Sequence, residues 1–160
     1  MTRSISDQWQ KGEFQISTDK RRLDLDVIHD FLSNRSYWAQ GRSVEVIKRG
    51  IDNSLNFGVY KGDQQIGFAR VVTDYATFAW LADVFLLEDY RGQGIGKALV
   101  QECLRRARKD GCTGLALHTT DMMQVAMAMY ERMGFFRTPE FDFYPVPEFQ
   151  VKAYRLEFKD

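Results

Sequence analysis

The chemistry in this sequence is densest at Arg91-Gly92-Gln93-Gly94-Ile95-Gly96, where glycine recurs at every second position between two apolar runs. Backbone N–H groups at a helix start lack partners and sit at the positive end of the helix dipole, and glycine lets that backbone close on a phosphate. The loop therefore predicts an anion site. A Walker A loop does not fit, because the position five before Gly96-Lys97 is Arg91, and Ala98 stands where a Ser or Thr would hold magnesium. A dinucleotide fingerprint fails too, since counting from Gly92 its third glycine falls on Lys97.

The elements that must hold this loop can be read from periodicity. A strand over about Phe78 to Leu87 runs into it through Glu88-Asp89-Tyr90. From Gly94 to Asp110, Ile95, Leu99, Val100, Cys103, Leu104 and Ala107 form one apolar stripe, which predicts an amphipathic helix packed on a sheet. Upstream, residues 1–12 are polar and aperiodic and read as a loose N-terminal arm before a first strand at about Phe14 to Ser17. Leu25, Ile28, His29 and Leu32 after Asp24, and Val44, Ile47 and Ile51 after Ser43, predict two short helices. Leu55 to Tyr60 and Gln65 to Thr73 read as a hairpin. Downstream come a strand at Gly114 to Thr119, a helix from Thr120 or Asp121 to Met133 that Gly134 stops, and strands near Phe135 to Arg137 and Val151 to Phe158. This order describes a mixed α/β sheet with helices on its faces.

The chain has 160 residues, enough for one domain with its own core, and a single domain over 1–160 is expected. Basic and acidic residues both total 22, so the sequence has no electrostatic footprint for nucleic acid or an anionic membrane. Cys103 and Cys112 lack metal-ligand spacing, so no metal is expected and both read as reduced thiols. With no apolar leader and no run of about 18 apolar residues, a soluble cytoplasmic protein is expected.

The pattern Arg/Gln-x-x-Gly-x-Gly/Ala, the strand Leu81-Ala82-Asp83-Val84-Phe85-Leu86-Leu87 before it and the later segment Met129-Tyr130-Glu131-Arg132-Met133-Gly134-Phe135 together resemble the GNAT acetyltransferase superfamily. The resemblance runs from roughly Phe14 to Phe158. It implies a mixed, mostly antiparallel central sheet of about seven strands flanked by about four helices. It also implies acetyl-coenzyme A as cosubstrate, and acetyl transfer to a primary amine by direct attack in a ternary complex. Arg91, Gly92, Gln93, Gly94, Ile95 and Gly96, with Lys97 beside them, would hold the pyrophosphate. Val84, Phe85 and Leu86 would lie at a break in the strand where pantetheine adds like an extra strand, with a backbone N–H near Leu86 polarising the thioester carbonyl. Tyr130 matches the family tyrosine that protonates the departing thiolate. Many relatives carry asparagine seven residues before that tyrosine, where this chain has Met123.

The attacking amine must lose a proton, and Asp83, Glu88, Asp74 and His118 are the candidate bases. Spermidine/spermine acetyltransferases carry an acidic pair just before the matching strand segment; here Asp83 supplies the second member, but the first is Ala82. Asp83 either faces the acceptor or pairs with an arginine, and His118, on a short apolar strand, reads more readily as a hydrogen-bonded core residue. By the same resemblance Tyr37, Trp38 and Arg42 overhang the acceptor site, where Tyr37 and Trp38 either enclose substrate or pin the loop. Phe141, Phe143 and Tyr144 form the opposite wall or a homodimer contact. The rival reading is a non-catalytic acyl-coenzyme A sensor or interaction module, motivated by Ala82 and Met123.

Overall fold

The computed structural model describes residues 8–159. Gly12 takes φ +60° and turns Gln8–Lys11 (β1) back onto Phe14–Ser17 (β2), with Lys11 opposite Phe14. The expected loose arm over 1–12 is therefore corrected for residues 8–11, while residues 1–7 lie outside the described residues. β1 escapes pattern reading because it is an edge strand whose residues are nearly all exposed, which leaves no apolar alternation.

Asp24 starts Leu25–Asp30 (α1) by accepting the N–H groups of Asp26 and Val27, and the helix widens into a π-type turn over Phe31–Arg35. Ser43 caps Val44–Asp52 (α2) through the Val46 N–H. Leu55–Lys61 (β3) and Gln64–Thr73 (β4) form the expected hairpin, and Ala79–Leu86 (β5) follows. Then come Ile95–Lys109 (α3), Gly114–Thr119 (β6) and Gln124–Arg132 (α4), the last entered through a short 3₁₀ turn capped by Thr120. Phe136–Arg137 (β7), Phe143–Val146 (β8) and Phe149–Glu157 (β9) complete the chain.

These strands form one sheet ordered β1-β2-β3-β4-β5-β6-β9-β7, with β8 also on β9. Among the described residues there are nine strands rather than about seven, and the two additions are β1 and β8. Every pairing is antiparallel except β5 with β6.

Two apolar layers sandwich the sheet. Leu99, Val100 and Cys103 of α3 pack with Phe57, Leu81 and Leu115, whereas Ile28, Leu32, Ile47 and Ile51 of the first two helices pack on Phe68 and Phe85. Strand β5 changes sides between these layers. Ala79 and Leu81 face α3 and α4, and beyond Asp83 it is Val84 and Leu86 that do, while Phe85 joins the opposite layer. Phe68 lies opposite Phe85 but Arg70 opposite Ala82, so Ala69 opposes both Asp83 and Val84. Asp83 sits in this β-bulge at φ +54°.

The segment Tyr130-Glu131-Arg132-Met133-Gly134-Phe135 is a Schellman helix stop. The Phe135 N–H donates to Tyr130 O at 3.0 Å and the Gly134 N–H to Glu131 O at 3.1 Å, with Gly134 at φ +104°. Phe135 closes the motif by packing its ring on Tyr130, centroids 5.5 Å apart. Replacing Gly134 with Ala forces an L side chain into that conformation, which costs about 1 kcal/mol. The expected outcome in thermal unfolding is a melting point lower by about 2–4 °C.

Candidate active site

Strands β5 and β6 pair only at Trp80–Ala116 and Leu81–Leu117, so the sheet splits open beyond Leu81. On its other edge β5 is held tightly: a Cβ on Gly67 would stand 2.8 Å from the Phe85 carbonyl oxygen. The Leu87 N–H donates to Ile66 O at 2.8 Å, and strand alternation therefore turns the backbone groups of Leu86 and Val84 toward the split. Arg91 Nε donates to Leu86 O at 3.1 Å, in keeping with that direction.

A cavity of about 790 Å³ runs from this split to the glycine loop, lined by Val84, Phe85 and Leu86 at one end and by Arg91, Gly92, Gly94, Gly96 and Lys97 at the other. Gly94 precedes α3 at φ +83° with no side-chain cap, and the first helical N–H to find a partner in this turn is that of Ala98, which donates to Gly94 O. The earlier N–H groups of the turn are thus free for an anion. Gln93 is exposed, and Ile95, the first residue of α3, is buried in the core, so neither of these two expected site residues lines the cavity.

On the other side of the split lies a cavity of about 440 Å³, and Trp38, Val84, Met123 and Tyr130 line both. Tyr130 stands at this junction, 6% exposed, and its hydroxyl makes no hydrogen bond among the described residues. Burial pushes its pKa well above the usual phenol value, so it stays neutral.

The smaller cavity is walled by aromatic side chains from separate elements. Tyr37 crosses Trp38 edge-on at 5.4 Å and Phe149 at 6.3 Å, and its hydroxyl is 2.7 Å from Thr120 Oγ1. Phe143 packs edge-on against His118, whereas Phe141 and Tyr144 are mainly exposed. The neighbouring Thr119 hydroxyl is buried without a partner among the described residues.

Each candidate base meets a different fate. Asp83 does reach the smaller cavity, with its carboxylate only 5% exposed. Its Oδ1 accepts from Trp38 Nε1 at 3.0 Å, and its Oδ2 accepts from Arg42 Nη1 at 2.9 Å and Arg70 Nε at 3.0 Å. His118 Nδ1 accepts from Trp80 Nε1 at 3.1 Å, and its Nε2 lies 3.0 Å from Phe141 O, which can only accept, so the proton belongs on Nε2. Asp74 is the acceptor of an exposed turn, held well below the usual carboxylate range chiefly by the Phe78 N–H and the Thr77 hydroxyl. Glu88 lies in the turn before the glycine loop and lines neither cavity.

Arg70, Trp80 and Phe149 also line the smaller cavity, and sequence reasoning missed them. Arg70 left one usable signal, a charge inside the otherwise apolar run of β4.

The family model described as Acetyltransferase (GNAT) family matches residues 21–135. The chain belongs to the GNAT acetyltransferase family. It is 31% identical over 115 residues to the peptidyl-lysine N-acetyltransferase YjaB of Salmonella typhimurium, covering 71% of this chain and 70% of that protein. It is 30% identical over 81 residues to the thialysine N-epsilon-acetyltransferase of Bos taurus, covering 48% of each. A GNAT structure from Xanthomonas campestris pv. campestris superposes with TM-score 0.72 at 36% identity, over 86% of this chain and 96% of that one. The chain spans less than two thirds of the first curated relatives it matches, 63% and 64% in two of them. No helix among the described residues is long and apolar enough to cross a membrane.

Replacing Gly94 with Asp puts a β-carbon at φ +83° and a negative charge at the free N–H groups of α3. Calorimetric titration with acetyl-coenzyme A is expected to show no binding, while circular dichroism shows the fold retained.

Proposed function

We propose that this chain is an acetyl-coenzyme A-dependent N-acetyltransferase in which a primary amine attacks the thioester directly. The observation that carries this reading is the continuity of two cavities through Tyr130: one leads to a helix start with free N–H groups, the other to an aromatic-walled chamber. In this reading the pyrophosphate lies at Arg91 to Lys97 and the pantetheine arm along the open edge of β5. The acetyl group then sits between Val84, Met123, Trp38 and Tyr130.

Attack by the amine nitrogen builds negative charge on the thioester oxygen, and a backbone N–H on the open edge of β5, that of Leu86 or Val84, stabilises it more in the transition state than before it. The C–S bond then breaks, and the thiolate takes the Tyr130 proton. The phenol is regenerated by the proton the amine releases. An ammonium must also lose one proton before it can attack; Asp83 and His118 both have their acceptor atoms engaged, so that earlier proton leaves through water in the acceptor chamber.

YjaB is named for peptidyl-lysine and the bovine relative for thialysine, which supports an amine acceptor of some kind for this chain. Met123 at the junction and the engaged state of both candidate bases would equally suit a coenzyme-binding module without chemistry. Binding of acetyl-coenzyme A with no amine-dependent thiol release would decide for that module.

Tyr130→Phe is expected to lower kcat by about a hundredfold or more with the coenzyme Kd unchanged. Equal kcat in the two proteins would remove the acid role. The pH profile carries a second expectation. Because the Tyr130 pKa is raised, its proton is retained past about pH 10. The rate of the wild-type protein should therefore climb with pH until the acceptor amine is itself neutral, with no intervening fall. A descending limb between pH 7 and the amine's pKa would contradict this assignment.

A further inference from the structure

Behind the acceptor chamber lies a third cavity, of about 460 Å³, lined by Val46, Ile47, Arg49, Gly50, Asn53 and Phe68 among others. Both are lined by the same three ionic side chains, Arg42, Arg70 and Asp83. The charges there do not cancel, since two guanidiniums share one carboxylate.

Nor are their donors used up. A guanidinium carries five N–H groups. Arg42 gives one to Asp83; Arg70 gives Nε to Asp83 and one from Nη1 to the Ser54 hydroxyl. The remaining N–H groups meet no acceptor among the described residues. The guanidiniums are also half-desolvated: the side chains of Arg42 and Arg70 are 27% and 18% exposed. Gly50 contributes to this, because a Cβ there would stand 3.4 Å from Arg70 Nη1, so helix α2 can lie directly against the guanidinium. Arg49 adds a third cation to the rear cavity and has no side-chain partner among the described residues.

An arginine fork in low dielectric matches an oxyanion geometrically and electrostatically. A polyammonium acceptor would meet the reverse: two cations, and a carboxylate whose oxygens are already occupied. We infer that the acceptor is a small amine that also bears an oxyanion, carboxylate or phosphate, bound by Arg42 and Arg70 while its apolar part lies against Trp80, Phe143 and Phe149. This assignment rests on the acetyltransferase reading and names its substrate class. Asp83 is then a positioning residue that holds the two guanidiniums side by side.

The test needs no variant for its first step. Thiol release by the wild-type protein is compared for matched pairs, phenylalanine with phenethylamine and O-phosphoethanolamine with ethanolamine, together with spermidine and a lysine-containing peptide. The expected result is kcat/KM about tenfold or more higher for the oxyanion-bearing member of at least one pair, carried by KM. Which pair responds tells carboxylate from phosphate. Arg42→Gln should then erase that ratio, and Arg42→Lys should restore it only in part, with the coenzyme Kd unchanged in both. Equal or faster acetylation of the oxyanion-free member in both pairs, or of spermidine or the peptide relative to both oxyanion-bearing amines, overturns this inference and leaves the acetyltransferase reading standing. Coenzyme binding with no thiol release from any amine overturns that reading, and this inference with it.

Discussion

The backbone of Asp83, held at φ +54°, is the constraint on which the site depends. A non-glycine residue in that region costs about 1 kcal/mol or more, although aspartate tolerates it better than most. The extra residue makes β5 change faces, which brings Val84 and Leu86 to the side of α3 and the glycine loop. Pairing with β6 stops two residues earlier, at Leu81. A bulge bends its strand and increases the local twist, so the bend and the loss of the neighbouring strand belong together. Without them the edge that faces the larger cavity would be closed by sheet hydrogen bonds.

What offsets the strain is the trio of donors on the Asp83 carboxylate. Trp38 and Arg42 reach it from the α1–α2 loop and Arg70 from β4. These interactions do two things at once: they fix the bulge, and they tether the loop that lines the smaller cavity. A buried carboxylate with a single cation partner would suffice for the first task. The second guanidinium exceeds that need, which is why the cluster reads as a binding element as well as a brace. The same loop is stiffened from within, where the Ser36 hydroxyl donates to Leu32 O and accepts the Ala39 N–H.

Legibility in the sequence followed the kind of force at work. Helix caps at Asp24 and Ser43, the β3–β4 hairpin and the apolar stripe of α3 are local, so spacing alone located them. β1 and β8 are edge strands with largely exposed side chains and carry no alternation to read. The residue types did not show the bulge at Asp83, for a different reason, and only the family resemblance implied a break in this strand, at Val84 to Leu86. No glycine marks it, and simple alternation from Leu81 would put Asp83 under α3 rather than beside Arg42 and Arg70. Asp83 as an arginine partner was foreseeable as a possibility, but choosing Arg70, thirteen residues away in sequence and one strand over in space, requires the register of β4 against β5.

The two halves of the site differ in the same way. Where the anion is expected the chain uses backbone, and backbone chemistry demands glycine at fixed positions, so Gly92 and Gly94 at φ +79° and +83° leave a mark in sequence. Tyr130 belongs to this class as well: its position follows from the Schellman stop at Gly134, which is a local motif of four or five residues. The smaller cavity is instead assembled mainly from side chains on β4, β5, β6, β8, β9 and the α1–α2 loop. Each of those residues has an ordinary identity for its own element, and only their convergence is unusual. The lining of this cavity can thus change by substitution on any of six elements while the glycine loop and helix stop persist, and a family likeness built on the latter carries little information about the former.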